Sequence, residues 1–207
     1  MTSLPQSAID LILYSEGIDQ PGKWPGGGSG ITLGYGCDIG ADPESLDYWV
    51  PHLPISHIAR LREAKGKTGR AAAQIQTRFA DIKVTKAQAL SVFQQQSLPR
   101  EIAITLRAFP GVEFMPPAVL GAMVSLVYNR GTDLRGERRH EMKIISEILA
   151  EFQTFTPERR AAVQAEYIRK IALQFCKMKR LWVGKGLDGL LTRRDAEADL
   201  VLSALVA

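Results

Sequence analysis

Apolar residues recur every three to four positions at the start of the chain, and this spacing predicts an amphipathic helix. Its apolar positions are Leu4, Ala8, Ile9, Leu11, Ile12 and Leu13. Ser3 opens a capping box at the beginning of this helix, and Gly17 supplies a left-handed stop at its end. The helix is therefore predicted to end at Glu16, with that side chain beside the apolar face.

The helical pattern is lost between Gln20 and Gly40, where eight residues are glycine. Glycine at this density excludes a regular helix. The β-formers of the stretch are Ile31, Thr32, Leu33 and Tyr35. We therefore predict a short twisted hairpin, with glycines at positive φ or where a ligand approaches closely.

From residue 42 onward the pattern predicts one helix after another. Asp42, Thr85 and Thr156 are the predicted N-caps, and Pro99 should bend the long helix that Thr85 opens. The expected ranges are about 42–50, 57–64, 70–80, 85–109, 117–128, 139–152, 157–177 and 189–205. This succession predicts an α+β, mainly helical fold, with a small β-hairpin lobe packed on a helical bundle and an active-site cleft between them.

The length of 207 residues suits one domain with one sizeable core. We predict a single domain over 1–207, with a hairpin lobe at about 17–80 and a helical lobe at about 84–207 that includes the first helix. Apolar residues make up 45% of the chain, but no run approaches eighteen of them, so no membrane span is expected. The N-terminus has no basic segment before an apolar core, so no Sec signal is expected either.

The formal net charge is +4, and the isoelectric point is near 9.1. A basic surface attracts the anionic cell wall and nucleic acid equally well. The basic groups are dispersed at Arg138–Arg139, Lys177–Arg180 and Arg193–Arg194, which we expect to be solvated helix faces. Because no nucleic-acid-binding signature accompanies them, we predict no nucleic-acid partner.

Neither the histidines nor the cysteines form a recognisable site. His52, His57 and His140 lack metal-ligand spacing, so we predict no metal and no cofactor. Cys37 and Cys176 would form a disulfide only in an oxidising compartment, and two reduced cysteines are the simpler expectation.

Candidate chemistry is concentrated between the first helix and the predicted hairpin, at Glu16, Thr32 and Asp38. A carboxyl group at a helix C-terminus opposes the macrodipole when ionised, which suits an acid that must hold its proton. Two carboxyl groups near a small turn are the equipment of a glycoside hydrolase. Trp24 and Tyr35 are candidates for stacking on sugar rings, whereas Trp49 is expected in the core.

Four segments resemble the phage-type lysozymes, glycoside hydrolase family 24. They are Ser15–Gly17 with Gly30–Gly36 (G-I-T-L-G-Y-G), Val84–Leu90, Val119–Gly131, and Trp182 with Gly189–Glu197. The order of these segments along the chain is similar to the order of five features in that family: the catalytic glutamate, the threonine strand, the capped helix, the buried central helix and the last helix. The resemblance implies a lysozyme-like fold.

The position of the second carboxylate departs from the usual phage pattern, in which it lies between the glutamate and the threonine. Only Asp19 lies there, three residues after Glu16, too close to reach across a sugar. Pesticin-like bacteriocin muramidases place this aspartate after the threonine in a GYG-x-D context, which Asp38 matches. We therefore favour Glu16, Thr32 and Asp38 over a set that uses Asp19.

The resemblance implies hydrolysis of the β-1,4 bond between N-acetylmuramic acid and N-acetylglucosamine. Glu16 would protonate the glycosidic oxygen, while Asp38 and Thr32 would activate and hold a water. Family precedent suggests inversion, which needs carboxyl groups about 6.5–9.5 Å apart, whereas a shorter separation suits retention. Asn129 would contact acetamido groups or simply end its helix, and Arg193 with Glu197 would form a structural pair.

The biological setting stays open among phage endolysin, bacteriocin and secretion-system effector, with an antibacterial toxin module slightly favoured. The expected partners are peptidoglycan glycan strands, a cognate immunity protein and a secretion carrier, and we expect a monomer. The enzyme would be made in the bacterial cytoplasm and act in the periplasm or cell wall of a target cell. A chitinase or chitosanase, or a wall-binding module without catalysis, is the alternative.

Overall fold

A computed structural model describes residues 4–206, so that Ser3, the predicted cap of the first helix, lies outside the described residues. Over this range the chain is mainly helical with one two-stranded antiparallel sheet, which confirms the predicted α+β, mainly helical class. The strands are β1 (Thr32–Leu33) and β2 (Cys37–Asp38). The α-helices are α1 (Gln6–Glu16), α2 (Ile55–Leu61), α3 (Gly69–Ile75), α4 (Lys86–Val92), α5 (Leu98–Ala108), α6 (Pro117–Arg130), α7 (His140–Gln153), α8 (Pro157–Met178) and α9 (Asp188–Ser203).

The chain forms two compact units. We call Glu16–Arg100 the hairpin unit, and Met1–Ser15 together with Glu101–Ala207 the helical unit. Among the helices of residues 4–206, none is both long and apolar enough to cross a membrane.

The helical unit is built around α6, in which every residue from Val119 to Val127 is buried. In this unit α9 packs on α6 and on α8, and α8 packs on α7. Gly121 of α6 faces Ala8 of α1, and a Cβ atom at Gly121 would collide with the Cβ atom of Ala8. A residue without a side chain therefore lets the two helix backbones approach closely at this point.

A polar network lies inside the helical unit, between α6 and α9. Glu197 Oε1 accepts hydrogen bonds from Ser125 Oγ at 2.6 Å and from the guanidinium of Arg194 at 2.9 Å. Arg193 lies 3.3 Å from the same oxygen, which confirms the predicted structural pair. The expectation that Arg193 and Arg194 form a solvated helix face is wrong, because both are buried with this glutamate. Burial raises the pKa of Glu197, and the two arginines oppose that effect.

The three predicted N-caps within residues 4–206 all occupy the N-cap position, and two of them make a side-chain cap bond. Thr85 forms a full capping box with Gln88, and the side chain of Thr156 accepts a hydrogen bond from the N–H of Arg159. Asp42 makes no side-chain cap bond, because its carboxylate pairs with Arg100 instead.

The predicted long helix after Thr85 is interrupted before Pro99. Helix α4 passes into a π-helical segment, Phe93–Ser97, before α5 begins at Leu98. The N–H of Leu98 donates to the carbonyl of Phe93, five residues earlier, instead of to the usual residue four back. The irregularity that we expected from Pro99 is therefore a π turn just ahead of it.

The hairpin unit contains the predicted hairpin, with Thr32 opposite Asp38 and Leu33 opposite Cys37. Gly34 and Gly36 both have positive φ in its turn, as the glycine pattern predicts. The indole of Trp49 is fully buried beneath Gly34 and donates to the sulfur of Cys37, which confirms Trp49 as a core residue.

Candidate active site

Glu16 is the last residue of α1 and the first residue of the hairpin unit. Gly17 follows with a φ of +65°, so the helix stops where its sequence predicts. The side chain of Glu16 is half-buried, and its negative charge acts on the carboxyl group of Asp19. Two acidic side chains therefore lie three positions apart, one before and one after the helix stop at Gly17.

Asp19 is fixed to the hairpin through its backbone. Its N–H donates to the carbonyl of Gly34 at 2.7 Å, and its carbonyl accepts from the N–H of Gly34 at 2.9 Å. This isolated antiparallel bridge joins the segment after α1 to the turn between β1 and β2. The side chain of Asp19 is consequently held beside the hairpin and close to Glu16.

The carboxyl group of Asp19 has an unusual acidity for an aspartate. Its pKa is raised from 3.8 to about 6, mainly because burial disfavours the charged form. The negative charges of Glu16 and, more weakly, Asp38 raise the pKa further, while the ammonium group of Lys23 opposes them. A carboxyl group of this acidity can gain or lose a proton near neutral pH.

Asp38 ends β2 with its carboxylate bound to three backbone N–H groups. Oδ2 accepts from Gly30 at 2.8 Å, and Oδ1 accepts from Gly40 and Ala41, each at 2.9 Å. Both oxygens act as acceptors, as those of an ionised carboxylate do. These bonds tie the start of β1 to the loop after β2 and fix the position of the negative charge.

The glycines around Asp38 make this arrangement possible. A Cβ atom at Gly30 would collide with Asp38 Oδ1 and with Gly40 Cα, and a Cβ atom at Gly40 would collide with the carbonyl oxygen of Lys67. Glycine is therefore required at these two positions because the chain approaches itself closely. The groups that approach these two glycines are backbone atoms and the Asp38 carboxylate, whereas we predicted the close approach of a ligand.

Thr32 lies directly across the sheet from Asp38, so the register of β1 and β2 brings these two residues together. The threonine is 4% exposed, and its hydroxyl donates to the carbonyl of Gly30 at 3.3 Å. The oxygen keeps lone pairs with which it can accept a further hydrogen bond.

The two aromatic candidates differ in how much of the ring is accessible. Tyr35 is only 6% exposed and packs edge-to-face on Phe93, with ring centroids 5.9 Å apart. Little of its face is left for stacking on a sugar. Trp24 is half-buried, and its indole N–H donates to the carbonyl of Ser29 at 2.8 Å. Trp24 is therefore the better placed of the two to present part of its ring to a ligand.

Asn129 belongs to the helical unit, in the last turn of α6. Its Oδ1 accepts a hydrogen bond from Arg194 at 3.3 Å, and it lines a cavity together with Arg130 and Trp182. Helix α6 continues through Arg130 to a stop at Gly131, whose φ is +68°. The side chain of Asn129 thus has a structural partner within its own unit.

Among residues 4–206, no three histidine, cysteine, aspartate or glutamate side chains are arranged to hold a metal ion. Cys37 is buried and Cys176 is exposed, and both are free thiols. Burial raises the pKa of the Cys37 thiol, which makes it a poor nucleophile. The acidic groups beside the hairpin are therefore the chemically notable cluster of the hairpin unit.

Together these groups provide three carboxyl functions with different environments around one hairpin. Asp38 is anchored by three amides, Glu16 ends a helix, and the pKa of Asp19 is raised to about 6 by burial and by its acidic neighbours. Environments that separate the proton affinities of neighbouring carboxyl groups are typical of acid–base catalysis. Sequence reasoning gave Asp19 second place because it counted residues from Glu16 and had no means to see the bridge to Gly34.

No protein-family model matches the chain, and no curated protein matches it either.

Proposed function

We propose that the chain is a muramidase, a glycoside hydrolase that cleaves the β-1,4 bond between N-acetylmuramic acid and N-acetylglucosamine in peptidoglycan. The observation that supports it best is the acidic cluster in which Glu16 and Asp38 both act on the carboxyl group of Asp19. This cluster lies on the segments whose sequence resembles the phage-type lysozymes. A lysozyme-like fold is part of the proposal.

In the proposed reaction Glu16 protonates the glycosidic oxygen as the sugar–oxygen bond breaks. The anchored carboxylate of Asp38 stabilises the positive charge that develops on the sugar ring, and it orients or activates the attacking water. Thr32 would hold that water through the lone pairs that its bond to Gly30 leaves available. Trp24 would contact a sugar ring.

Asp19 can take part in two ways. As a neighbour of Glu16, Asp19 would itself hold a proton up to a pH of about 6 and so keep a proton donor in the cluster. As the second carboxylate, it would replace Asp38 in the reaction itself. Three backbone N–H groups bind the carboxylate of Asp38, so its position has a structural explanation that does not require catalysis. A measurement must therefore decide between the two roles of Asp19.

The proposed substrate is the glycan strand of peptidoglycan, reached in the periplasm or cell wall of a target cell. An antibacterial toxin module or an endolysin would both use this chemistry. A toxin would in addition require a cognate immunity protein in the producing cell and a carrier for secretion.

The decisive experiment is clearance of a purified peptidoglycan suspension, followed by mass spectrometry of the released muropeptides. We expect the full chain to release fragments with N-acetylmuramic acid at the reducing end. Glu16→Gln should lower the rate by about 10²-fold or more, since it removes the proton donor. Glu44→Gln is the matched control, because Glu44 is an exposed glutamate of the same unit.

The aspartates are compared in the same assay. A fall of about 10²-fold for Asp38→Asn, with a smaller fall and a shifted pH profile for Asp19→Asn, would assign the second carboxylate to Asp38. The reverse order would assign it to Asp19. Folded Glu16→Gln with the rate of the unsubstituted chain would remove Glu16 from the reaction.

Two arms of the experiment address the rival functions. Release of oligomers from chitin or chitosan without release from peptidoglycan would identify a different glycosidase. Sedimentation with peptidoglycan in the absence of any fragment release would identify a binding module. Either result would refute the muramidase proposal.

A further inference from the structure

A cavity of about 620 Å³ that is open to solvent lies beside the connection between α6 and α7 in the helical unit. This stretch has four arginines within ten residues, from Arg130 to Arg139. The charged and aromatic side chains that line the cavity are Arg130, Arg135, Glu137, Arg138, Arg139 and Trp182. Four positive groups thus share the cavity wall with one negative group.

Not all of these charges are compensated. Arg135 pairs with Asp133 at 2.9 Å, and Glu137 pairs with Arg180 at 3.0 Å outside the set of four arginines. Within residues 4–206, no carboxylate lies at ion-pair distance from the guanidinium groups of Arg130, Arg138 or Arg139. Three cations therefore surround the cavity without an anion of their own.

Arg130 shows that this excess charge is partly desolvated. Its guanidinium lies 4.9 Å from the ring centroid of Trp182, and it donates to the carbonyl of Arg138. Its Nε atom is buried and has no hydrogen-bond partner. The pKa of Arg130 is lowered to about 10, first by burial and then by the positive charges of Arg139, Arg194 and Arg138, with Glu141 opposing.

A buried donor without an acceptor and a cluster of like charges both lower the stability of a fold. An anion bound in the cavity would accept a hydrogen bond from the unpartnered donor and would offset the repulsion between the like charges. The fork of N–H groups on arginine matches the oxygens of a carboxylate or a phosphate, and hydrogen bonds between charged partners are about twice as strong as neutral ones. A cavity of this volume takes a group larger than a single ion.

We propose that the cavity lined by Arg130, Arg138, Arg139 and Trp182 is a binding site for a compact multivalent oxyanion, a ligand with phosphate or carboxylate groups. Arg138, which is exposed, makes first contact with the ligand, and Arg130 and Arg139 bind it deeper in the cavity. This site lies within the helical unit, and the proposal does not depend on the muramidase activity.

The test is calorimetric titration of the full chain with pyrophosphate and, separately, with citrate, both at matched ionic strength. We expect one of the two to bind with one-to-one stoichiometry, and the more tightly bound probe tells phosphate from carboxylate preference. Arg138→Gln should weaken binding about tenfold, the effect of losing one charge-assisted hydrogen bond. Its fold should be intact because no side-chain partner holds Arg138 in the described chain.

Arg169→Gln is the matched control, since it removes an exposed arginine of α8 that does not line the cavity. It should change the affinity by less than about twofold, the range expected for a distant screened charge. Arg139→Gln provides a second variant inside the cavity. Absence of binding by both probes, or equal weakening by Arg138→Gln and Arg169→Gln, would overturn the proposal.

Discussion

Replacing Asp19 by asparagine should stabilise the protein at neutral pH. The substitution keeps the size of the side chain and both backbone hydrogen bonds to Gly34. It removes a half-buried carboxyl group that is charged at neutral pH and stands beside the negative charges of Glu16 and Asp38. The expected gain can be worked out from the acidity of Asp19.

The pKa of Asp19 is raised from 3.8 to about 6, a difference that corresponds to about 3 kcal/mol at about 1.4 kcal/mol per pH unit. Because the side chain is only half-buried, screening by solvent reduces this to about 1–2 kcal/mol. Below pH 3.8, Asp19 is protonated in the folded and the unfolded chain, so its ionisation has no effect on folding.

Between pH 3.8 and about 6 the unfolded chain releases this proton while the folded chain still holds it. The unfolded state then binds fewer protons, and the free energy of unfolding falls as the pH rises. Above a pH of about 6, the free energy of unfolding is lowered by a constant amount. The advantage of Asp19→Asn over the unsubstituted chain should therefore grow through this window and then level off.

Urea unfolding of both proteins between pH 3.5 and 8 measures this advantage directly. Asp47→Asn is the matched control, because it removes an exposed aspartate of the same unit by the same chemical change. An advantage of Asp19→Asn that does not vary with pH, or one that Asp47→Asn shares, would refute the electrostatic account of the cluster.

Two further predictions concern the helical unit. Glu197→Ala should lower the free energy of unfolding by about 3–5 kcal/mol, because it breaks the buried ion pairs of Glu197 with Arg193 and Arg194. In the same urea experiment Glu166→Ala, which breaks an exposed pair with Lys170, should cost less than about 1 kcal/mol, and equal losses would contradict the argument. Gly121→Ala should destabilise the fold by about 1–3 kcal/mol through collision with Ala8, and adding Ala8→Gly should restore part of the loss. Thermal unfolding measures this effect. If Ala8→Gly lowers the stability of the Gly121→Ala variant further, the two helices do not meet as described.

Local patterns were sufficient to predict most of the secondary structure. The stop at Gly17, the capping box at Thr85 and the breaks between helices all depend on a few neighbouring residues, and each is present. Asp42 lies at the predicted N-cap position, but its carboxylate pairs with Arg100, 58 positions later in the chain, and makes no cap bond. Propensity near a residue cannot report such a competing partner.

For the same reason, the sequence could not predict that the polar network between α6 and α9 is buried. The spacing of Arg193 and Glu197 indicated a pair, but nothing in that spacing distinguishes a solvated helix face from a buried one. Arg193 is buried against Ser125 of α6, which lies 68 positions away in the sequence. The carbonyl of Ser125 accepts a hydrogen bond from Arg193 at 2.9 Å. Non-local packing decided the environment of the pair.

The sequence assembled Glu16, Thr32 and Asp38 as candidates, and the register of the hairpin accounts for the proximity of the last two. From the sequence we favoured Asp38 over Asp19 as the second carboxylate. Distance along the chain suggested that Asp19 was too close to Glu16 to be useful, yet the pairing with Gly34 holds it against the hairpin. That pairing joins residues fifteen positions apart through backbone groups, so side-chain identity gave no signal for it.

Side chains of like charge gather at two places within residues 4–206, and the sign differs between them. In the hairpin unit, burial and then the charges of Glu16 and Asp38 raise the pKa of Asp19 to about 6. In the helical unit, burial and then neighbouring arginines lower the pKa of Arg130 to about 10. Both arrangements lower stability, whereas the buried Arg193 and Arg194 lie beside the carboxylate of Glu197. Because stability alone does not favour clusters of like charge, function is the better explanation for each of them. The acidic cluster suits proton transfer, and the basic cavity suits an anion.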